Sequence, residues 1–476
     1  RTRASGTGAR GSAGDRPIAR AVASYTGAMV GAVVRAAAAL AVGLLTACAA
    51  PQPAAERTAV DVAADGYVYG YAPVTLARTR ANMLCLLPVN QLHHQSATAD
   101  PTSRVVVAPN VDTLYSIAWL DLRGGPVLLT HPDMGARYVD FQFLDIYTDV
   151  FANVGTRTTG AAAGAHVVVP PGWDGPLPPD AAVVESPTWD AWMIGRTLVE
   201  SATDLEAARA LQRQYSLTVL TAPVAEAPPP LPPTACGSNP DPQALAASGP
   251  QFFDELSAIL AANPPPPADA PLLDELADLG VRPGARPSAG SADTVAALAT
   301  GVVRGERRIR DLVDSDRQSG QVWHSLSTAG RYGTDYLQRA VVATIGLGAN
   351  VPEESTYHVA RVAADGTTLR GETGYLLRFP PGALPPVDDR GFWSVTLYGP
   401  DMFLVANPVD RYAVGDRTPG LVRGPDGGLD VWVSSRPPIP AGSNWLPAPP
   451  GEFVLMFRSY LPTDRDWVPP EPVPQP

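Results

Sequence analysis

Leu114-Tyr115-Ser116-Ile117-Ala118-Trp119-Leu120-Asp121-Leu122 runs into Arg123-Gly124-Gly125-Pro126, then 127–130 (VLLT), then His131-Pro132-Asp133-Met134-Gly135, then 137–145 (RYVDFQFLD). Short runs of aromatic and β-branched residues, punctuated by Gly, Pro and Asp, spell antiparallel strands joined by tight turns. Residues 150–154 and 167–169 continue the meander. The stretch predicts an antiparallel sheet belonging to a sandwich or jelly roll.

Upstream, residues 57–84 carry Ala, Val, Tyr and Leu at helical spacing, and Gly66, Gly70 and Pro73 predict a break in that helix. After Trp192-Met193-Ile194-Gly195 the pattern turns helical. Residues 204–217 open on an acid and repeat apolar positions every three or four. The proline tract 228–233 interrupts, and 252–262, 272–279, 291–312 and 335–346 predict further helices, with the stiff spacer 264–267 between two of them. From residue 356 strands return at 375–379, 392–398, 403–405, 429–433 and 453–460, with Asp365-Gly366 and Asp426-Gly427 as hairpin dipeptides. The terminal PPEPVPQP predicts a solvated tail. The order strands, helices, strands predicts an α+β fold: two antiparallel β-sandwich or jelly-roll-like parts joined by a helical middle region. Its parts are an N-terminal β-rich domain over 58–195, a helical connecting region over 196–350, and a C-terminal β-sandwich over 351–470.

The chain has 476 residues and a formal charge of −12, and its basic residues are all arginine. Such acidity argues against nucleic acid as a partner, because that affinity rests on cationic contacts to phosphate. Residues 35–48, R-AAAALAVGLLTA-C, place a positive residue before a short apolar run that ends in small residues. This is the order of an export signal, too short to span a bilayer. Leu45-Thr46-Ala47-Cys48 resembles a bacterial lipobox, so Cys48 is the expected lipidation site, with Ala49 following it. Residues 1–48 are then leader and signal, with translation expected from Met29, and 49–57 a Pro/Ala tether. The expected location is the cell envelope, lipid-anchored to the membrane; secretion is the alternative. Six arginines and Asp15 lie in 1–47, so the chain from Cys48 onward holds 29 basic and 46 acidic residues, a formal −17. Cys85, in the apolar run 83–88, reads as a buried core thiol; a disulfide to Cys236 is the other reading.

Asn110-Val111-Asp112-Thr113-Leu114-Tyr115-Ser116, Arg137-Tyr138, Asp145-Ile146-Tyr147-Thr148 and Gly155-Thr156-Arg157-Thr158-Thr159-Gly160 resemble the bacterial domain of unknown function numbered 1254. Gly391-Phe392-Trp393-Ser394-Val395-Thr396-Leu397-Tyr398, Asn407-Pro408 with Arg411-Tyr412, and Asn444-Trp445-Leu446-Pro447-Ala448-Pro449 resemble the domain numbered 1214. The resemblance covers about residues 60–470. It implies a tandem of β-sandwich-like parts joined by helices, often with a signal peptide, and it implies no activity.

Candidate chemistry falls on few positions. Asn110 and Asp112, at i and i+2 before a strand, can meet a sugar hydroxyl or a calcium ion, or simply form an Asx turn. Arg157 among threonines can clamp an anion, or pair with Asp145 or Asp149. Asp145 with Asp149, and Tyr147 between them, have the composition of an acid/base pair. Arg339 sits i+4 from Asp335, as in a surface helix pair, or lines an interdomain cleft. Asn407, Arg411, Asn444 and Trp445 lie in C-terminal loops, where Trp445 beside Asn444 can form a sugar platform or plug a sandwich end. No motif has clustered metal-ligand spacing, so no cofactor is expected beyond a possible calcium ion.

Three functions fit: binding of a carbohydrate-like ligand in an interdomain cleft through Asn110, Arg339, Asn407, Arg411, Asn444 and Trp445; a hydrolase or lyase using Asp112, Asp145, Arg157 and Tyr147; or a structural envelope lipoprotein. Whether Asn110, Asp112, Arg157, Arg339 and Asn444 converge on one cavity separates the first two from the third. For the anchor, Cys48→Ser is expected to abolish lipid attachment and release the protein to the medium. Membrane retention of that variant contradicts the assignment.

Overall fold

The computed structural model describes residues 57–104, 106–221, 224, 226–233, 236–237, 240–315, 320–438 and 444–475. The leader, Cys48 and residues 49–56 of the tether lie outside the described residues. Residues 57–475 belong to one compact unit.

Helix α1 (Ala59–Leu84) opens on a capping box, in which Thr58 accepts from the Asp61 backbone N–H at 3.2 Å and Asp61 accepts from that of Thr58 at 3.1 Å. The helix is continuous, so the break expected at Gly66, Gly70 and Pro73 does not occur. Pro73 has no N–H to give the carbonyl of Tyr69, and that carbonyl instead accepts from Arg339 Nη2 at 3.1 Å.

The N-terminal sandwich follows, built from β1 (His93–His94), β2 (Thr113–Asp121), β3 (Val127–His131), β4 (Val139–Asp145), β5 (Val150–Gly155), β6 (Gly164–Val169), β7 (Ala182–Glu185), β8 (Asp190–Leu198), α2 (Leu205–Gln212) and β9 (Ser216–Val219). One sheet has the order β1-β2-β8-β4-β5 and the other β7-β6-β3-β9. The end of the expected 204–217 helix is therefore an edge strand. The segment around Trp192 is no boundary but the middle of β8, a strand buried along its whole length. Its side chains alternate: Ala191 and Met193 enter the sandwich core, while Trp192 and Ile194 point to the opposite face.

Helices α4 (Gln251–Ala262), α5 (Ala270–Asp278) and α6 (Ala292–Ser315) pack around α1, and α3 (Pro242–Ala247) packs against α6. The glycines permit this close approach. A Cβ on Gly66 would stand 2.4 Å from Leu276, and one on Gly301 would stand 2.4 Å from the Ala63 Cβ and 2.7 Å from its carbonyl carbon. What reads as helix interruption is helix contact.

Then come β10 (Trp323–Ser325), α7 (Tyr336–Ile345) and the C-terminal sandwich: β11 (Ser355–Ala360), β12 (Gly374–Phe379), β13 (Val387–Tyr398), β14 (Ala413–Gly415), β15 (Leu429–Ser434), β16 (Asn444–Pro447), β17 (Val454–Pro462) and β18 (Val473–Gln475). Its sheets run β10-β11-β17-β13-β14 and β16-β15-β12-β18. Residues 403–405 form no strand; Leu404 makes a single bridge to Tyr398. The proline-rich tail is not a free solvated end, because Val473–Gln475 pairs with β12 at the sheet edge, where proline is tolerated. On β17, Leu455 and Phe457 fill this sandwich while Val454 and Met456 face away from it. The outward faces of both five-stranded sheets share one core with the helices.

Cys85 is not a buried core thiol: although Met83 enters the core, Cys85 is exposed beside Leu86, which is 84% exposed, and is disulfide-bonded to Cys236, with Cα atoms 5.9 Å apart. The bond ties the end of α1 to the proline-rich segment. A test of the helix layer is Gly301→Val, expected to lower stability by about 3 kcal/mol through backbone overpacking in urea unfolding. Val303→Ala, at an exposed position of the same helix, should stay within about 0.5 kcal/mol of the parent.

Candidate functional site

Because β2, β8, β11 and β17 each turn alternate residues away from their own sandwich, the two five-stranded sheets face one another, and a cavity of about 220 Å³ lies between them. Tyr115 and Ile117 come from β2, Trp192, Ile194 and Arg196 from β8, Tyr357 from β11, and Met456, Arg458 and Tyr460 from β17. Segments 106–110 and 346–349, with Met83, Gln95, Ala99, Ser103 and Leu326, complete the lining. The wall is mainly apolar, with two guanidinium groups set in it.

Arg196 is neutralised locally. It donates to Gln142 Oε1 at 2.6 Å, to the Gly348 carbonyl at 2.9 Å and to Asp140 at 3.3 Å. Asp140 in turn accepts from Asn350 at 2.6 Å and Asn153 at 2.8 Å. Arg458, 3% exposed, donates to the Ala108 carbonyl at 2.8 Å and to Thr396 Oγ1 at 3.3 Å, and lies 5.6 Å from the Tyr398 ring centre. No carboxylate among the described residues pairs with it.

Of the residues proposed from sequence, Asn110 lines this cavity. Its amide bonds Tyr460 OH, and its Oδ1 accepts from the Asp112 backbone N–H at 2.5 Å, so it forms the Asx turn and faces the cavity at once. Asp112 is turned elsewhere, accepting from Ser394 Oγ at 2.6 Å and Arg417 Nη2 at 2.7 Å. Arg157 pairs with neither Asp145 nor Asp149 but with Glu354, at 2.6 Å. Tyr138 donates to the other Glu354 oxygen at 2.8 Å, and burial, then the charge of Asp140, holds that carboxyl above its ordinary range.

Asp145, Tyr147 and Arg339 belong to a separate buried cluster. Asp145 accepts from the Asp149 backbone N–H at 2.9 Å, and Tyr147 OH donates to the Asn263 carbonyl at 2.6 Å. Arg339, 1% exposed, is no surface helix pair: Asp335 caps α7 by accepting from Gln338 N at 3.0 Å, while the guanidinium sits 5.0 Å from the Tyr336 ring centre and 5.1 Å from that of Tyr69. Burial, then the Asp149 charge, pushes the Asp145 carboxyl up to about 8.

The C-terminal four are committed to backbone. Asn407 binds Arg411 N at 3.2 Å and its carbonyl at 3.0 Å. Arg411 donates to the Trp445 carbonyl at 3.0 Å, and Trp445 Nε1 to that of Ser434 at 2.9 Å. Asn444 spans Val422 N and O, both at 2.7 Å, and the Asp430 carbonyl at 2.9 Å. Among the described residues no group of three or more His, Cys, Asp or Glu is placed to hold a metal ion, and no helix is long and apolar enough to cross a membrane. Arg196, Arg458, Tyr115, Tyr357 and Tyr460 escape the sequence reading. Their signal is a lone arginine inside each of two apolar strands, 192–198 and 453–460.

Twin β-sandwiches that share a helical layer and close on an interdomain cavity define the class of protein. Two family models, each described as a protein of unknown function, match in sequence order: DUF1254 over residues 89–219 and DUF1214 over 354–464. The chain belongs to the tandem proteins of these two families. It is 24% identical to the VPA0106 protein of Vibrio parahaemolyticus, whose crystal structure superposes with a TM-score of 0.65 over 88% of this chain and 100% of that one. That likeness is one of fold. An uncharacterised Burkholderia cenocepacia protein is 15% identical, with a TM-score of 0.44 over 87% of this chain and 88% of that one. No curated protein matches.

The raised Asp145 carboxyl has a consequence for stability. The folded chain keeps its proton while the unfolded chain loses it above about pH 4, so this group's contribution is full below that pH. It is lost toward pH 8 with a slope of about −1.4 kcal/mol per pH unit. Asp145→Asn is expected to gain more stability over the parent at pH 8 than at pH 5, measured by urea midpoints. An equal difference at both pH values contradicts the assignment.

Proposed function

We propose that this is an exported, lipid-anchored envelope protein that holds a small ligand in the cavity between its two five-stranded sheets. The cavity itself carries the reading. A concave, largely apolar space with a few convergent polar groups is the usual form of a small-molecule site. Export is supported by the signal-like segment 35–48 and by the Cys85–Cys236 disulfide, since such bonds persist in oxidising compartments. Anchoring rests on Cys48 in its lipobox-like setting.

The apolar wall favours a ligand with an apolar body over the carbohydrate-like one expected from sequence. Sugars need many convergent hydrogen-bonding groups, and Asn407, Arg411, Asn444 and Trp445 spend theirs on backbone. Binding is preferred to a hydrolase or lyase reaction because the titratable groups of the described lining are arginines and tyrosines, and burial pushes the Tyr115 and Tyr460 hydroxyls up, away from proton transfer near neutrality.

Thermal shift with sugars, uronates, calcium chloride and amphiphiles of six to ten carbons tests this, because a ligand that binds only the folded state raises the melting temperature. Amphiphiles are expected to stabilise the chain in a saturable way and sugars are not. Val106→Trp, a half-buried loop position on the lining, should fill the space and abolish that shift. Stabilisation by sugars alone, or an undiminished shift in Val106→Trp, contradicts the reading.

A further inference from the structure

Among the described residues, the less exposed arginines at the seam between the two halves are Arg157, Arg196, Arg417 and Arg458, and the first three meet a carboxylate. Arg196 has Asp140 at 3.3 Å, Arg157 has Glu354 at 2.6 Å, and Arg417 has Asp112 at 2.7 Å and Asp416 at 3.5 Å. Arg458 is the exception. It is buried in the cavity wall, and its protein partners are the Thr396 and Tyr398 hydroxyls, the Ala108 carbonyl and the Tyr398 ring.

That arrangement is physically unfinished. A guanidinium cannot shed its proton to escape burial, as a lysine can. An isolated buried charge is costly unless it is paired. Thr396, Ala108 and Tyr398 engage three of its five N–H groups, so donors remain for a further acceptor. The backbone beside it is also held in an unfavourable conformation. Ala108, whose carbonyl Arg458 binds, has φ of 51°, and Met402, whose carbonyl accepts from Ala108 N at 2.8 Å, has φ of 62°. Side chains with a Cβ seldom adopt that region, and such strain gathers at ligand sites.

Resting on the cavity reading above, we infer that the ligand is a small carboxylate with an apolar body: its carboxylate pairs with Arg458 and its body lies on Ile117, Trp192, Ile194 and Met456. Arg196 contributes little further charge, being committed to Asp140 and Gln142. Size follows from volume. An apolar cavity of about 150 Å³ takes benzene. A cavity of about 220 Å³ therefore accommodates roughly nine or ten non-hydrogen atoms, the size of octanoate or a substituted benzoate.

Calorimetric titration of the full chain with octanoate, octan-1-ol and octylammonium tests the inference, since these share a tail and differ in head group. Octanoate is expected to bind at least tenfold more tightly than octanol, and octylammonium more weakly than either. Arg458→Gln should erase the preference for octanoate while keeping octanol binding, and Arg458→Lys should retain the preference at reduced affinity. Equal binding of octanoate and octanol by the parent chain overturns the carboxylate assignment and leaves the cavity reading standing, as does tightest binding of octylammonium. Failure of all three to bind overturns both. The comparison on the parent chain needs no variant to fold.

Discussion

Asp112 holds the two halves of the chain in register. Its carboxylate receives Ser394 and Arg417, which lie 282 and 305 residues away. Glu354 receives Tyr138 and Arg157, and Asp140 receives Asn350, each across more than 190 residues of sequence. Buried ion pairs are weak evidence of net stability, because desolvation offsets most of their attraction. Their effect here is positional. Each fixes one five-stranded sheet against the other at the edge of the contact, and the apolar faces inside that perimeter do not mesh completely. The cavity is what remains.

The helices close the assembly from the other side. α1 lies at the centre of the helical layer; Gly301 and Gly305 let α6 approach its backbone, and Gly66 and Gly70 make room for the side chains of Leu276, Phe252 and Leu256. Pro73 leaves a buried carbonyl without its helical donor, and Arg339 supplies one from α7. An arginine that looks like a surface pair in the sequence is thus the repair of a proline far upstream in the chain. Its charge is met by tyrosine rings and by the nearby Asp149 and Asp269 carboxyls, with no ion pair to it among the described residues.

Strand runs with turn chemistry at both ends are legible in the amino-acid order alone: 114–122, 127–130 and 137–145 each fall within two residues of an observed strand. The helices from 252 to 346 are legible for the same reason, since period and caps are local properties. What escapes is nonlocal. Glycines in α1 read as breaks because the sequence does not show that Gly66 must meet Leu276 and Gly70 must meet Phe252 and Leu256. β8 reads as ending at Gly195, because a strand buried on both faces has no polar alternation to mark it. The tail at 473–475 is a strand only through its pairing with β12, far upstream. The site suffers most. Asn110 can be found because an Asx turn advertises itself locally, whereas Arg458 carries no motif and matters only because nothing around it is negative.

Diffraction from crystals of the chain soaked with 4-iodobenzoate tests the central claim directly, since iodine scatters anomalously and the molecule has the expected size. The account predicts one iodine peak inside the cavity near Ile117 and Ile194, with the carboxylate within about 3 Å of the Arg458 guanidinium. Iodine found only on the outer surface, with the space between the two sheets unfilled, would contradict it.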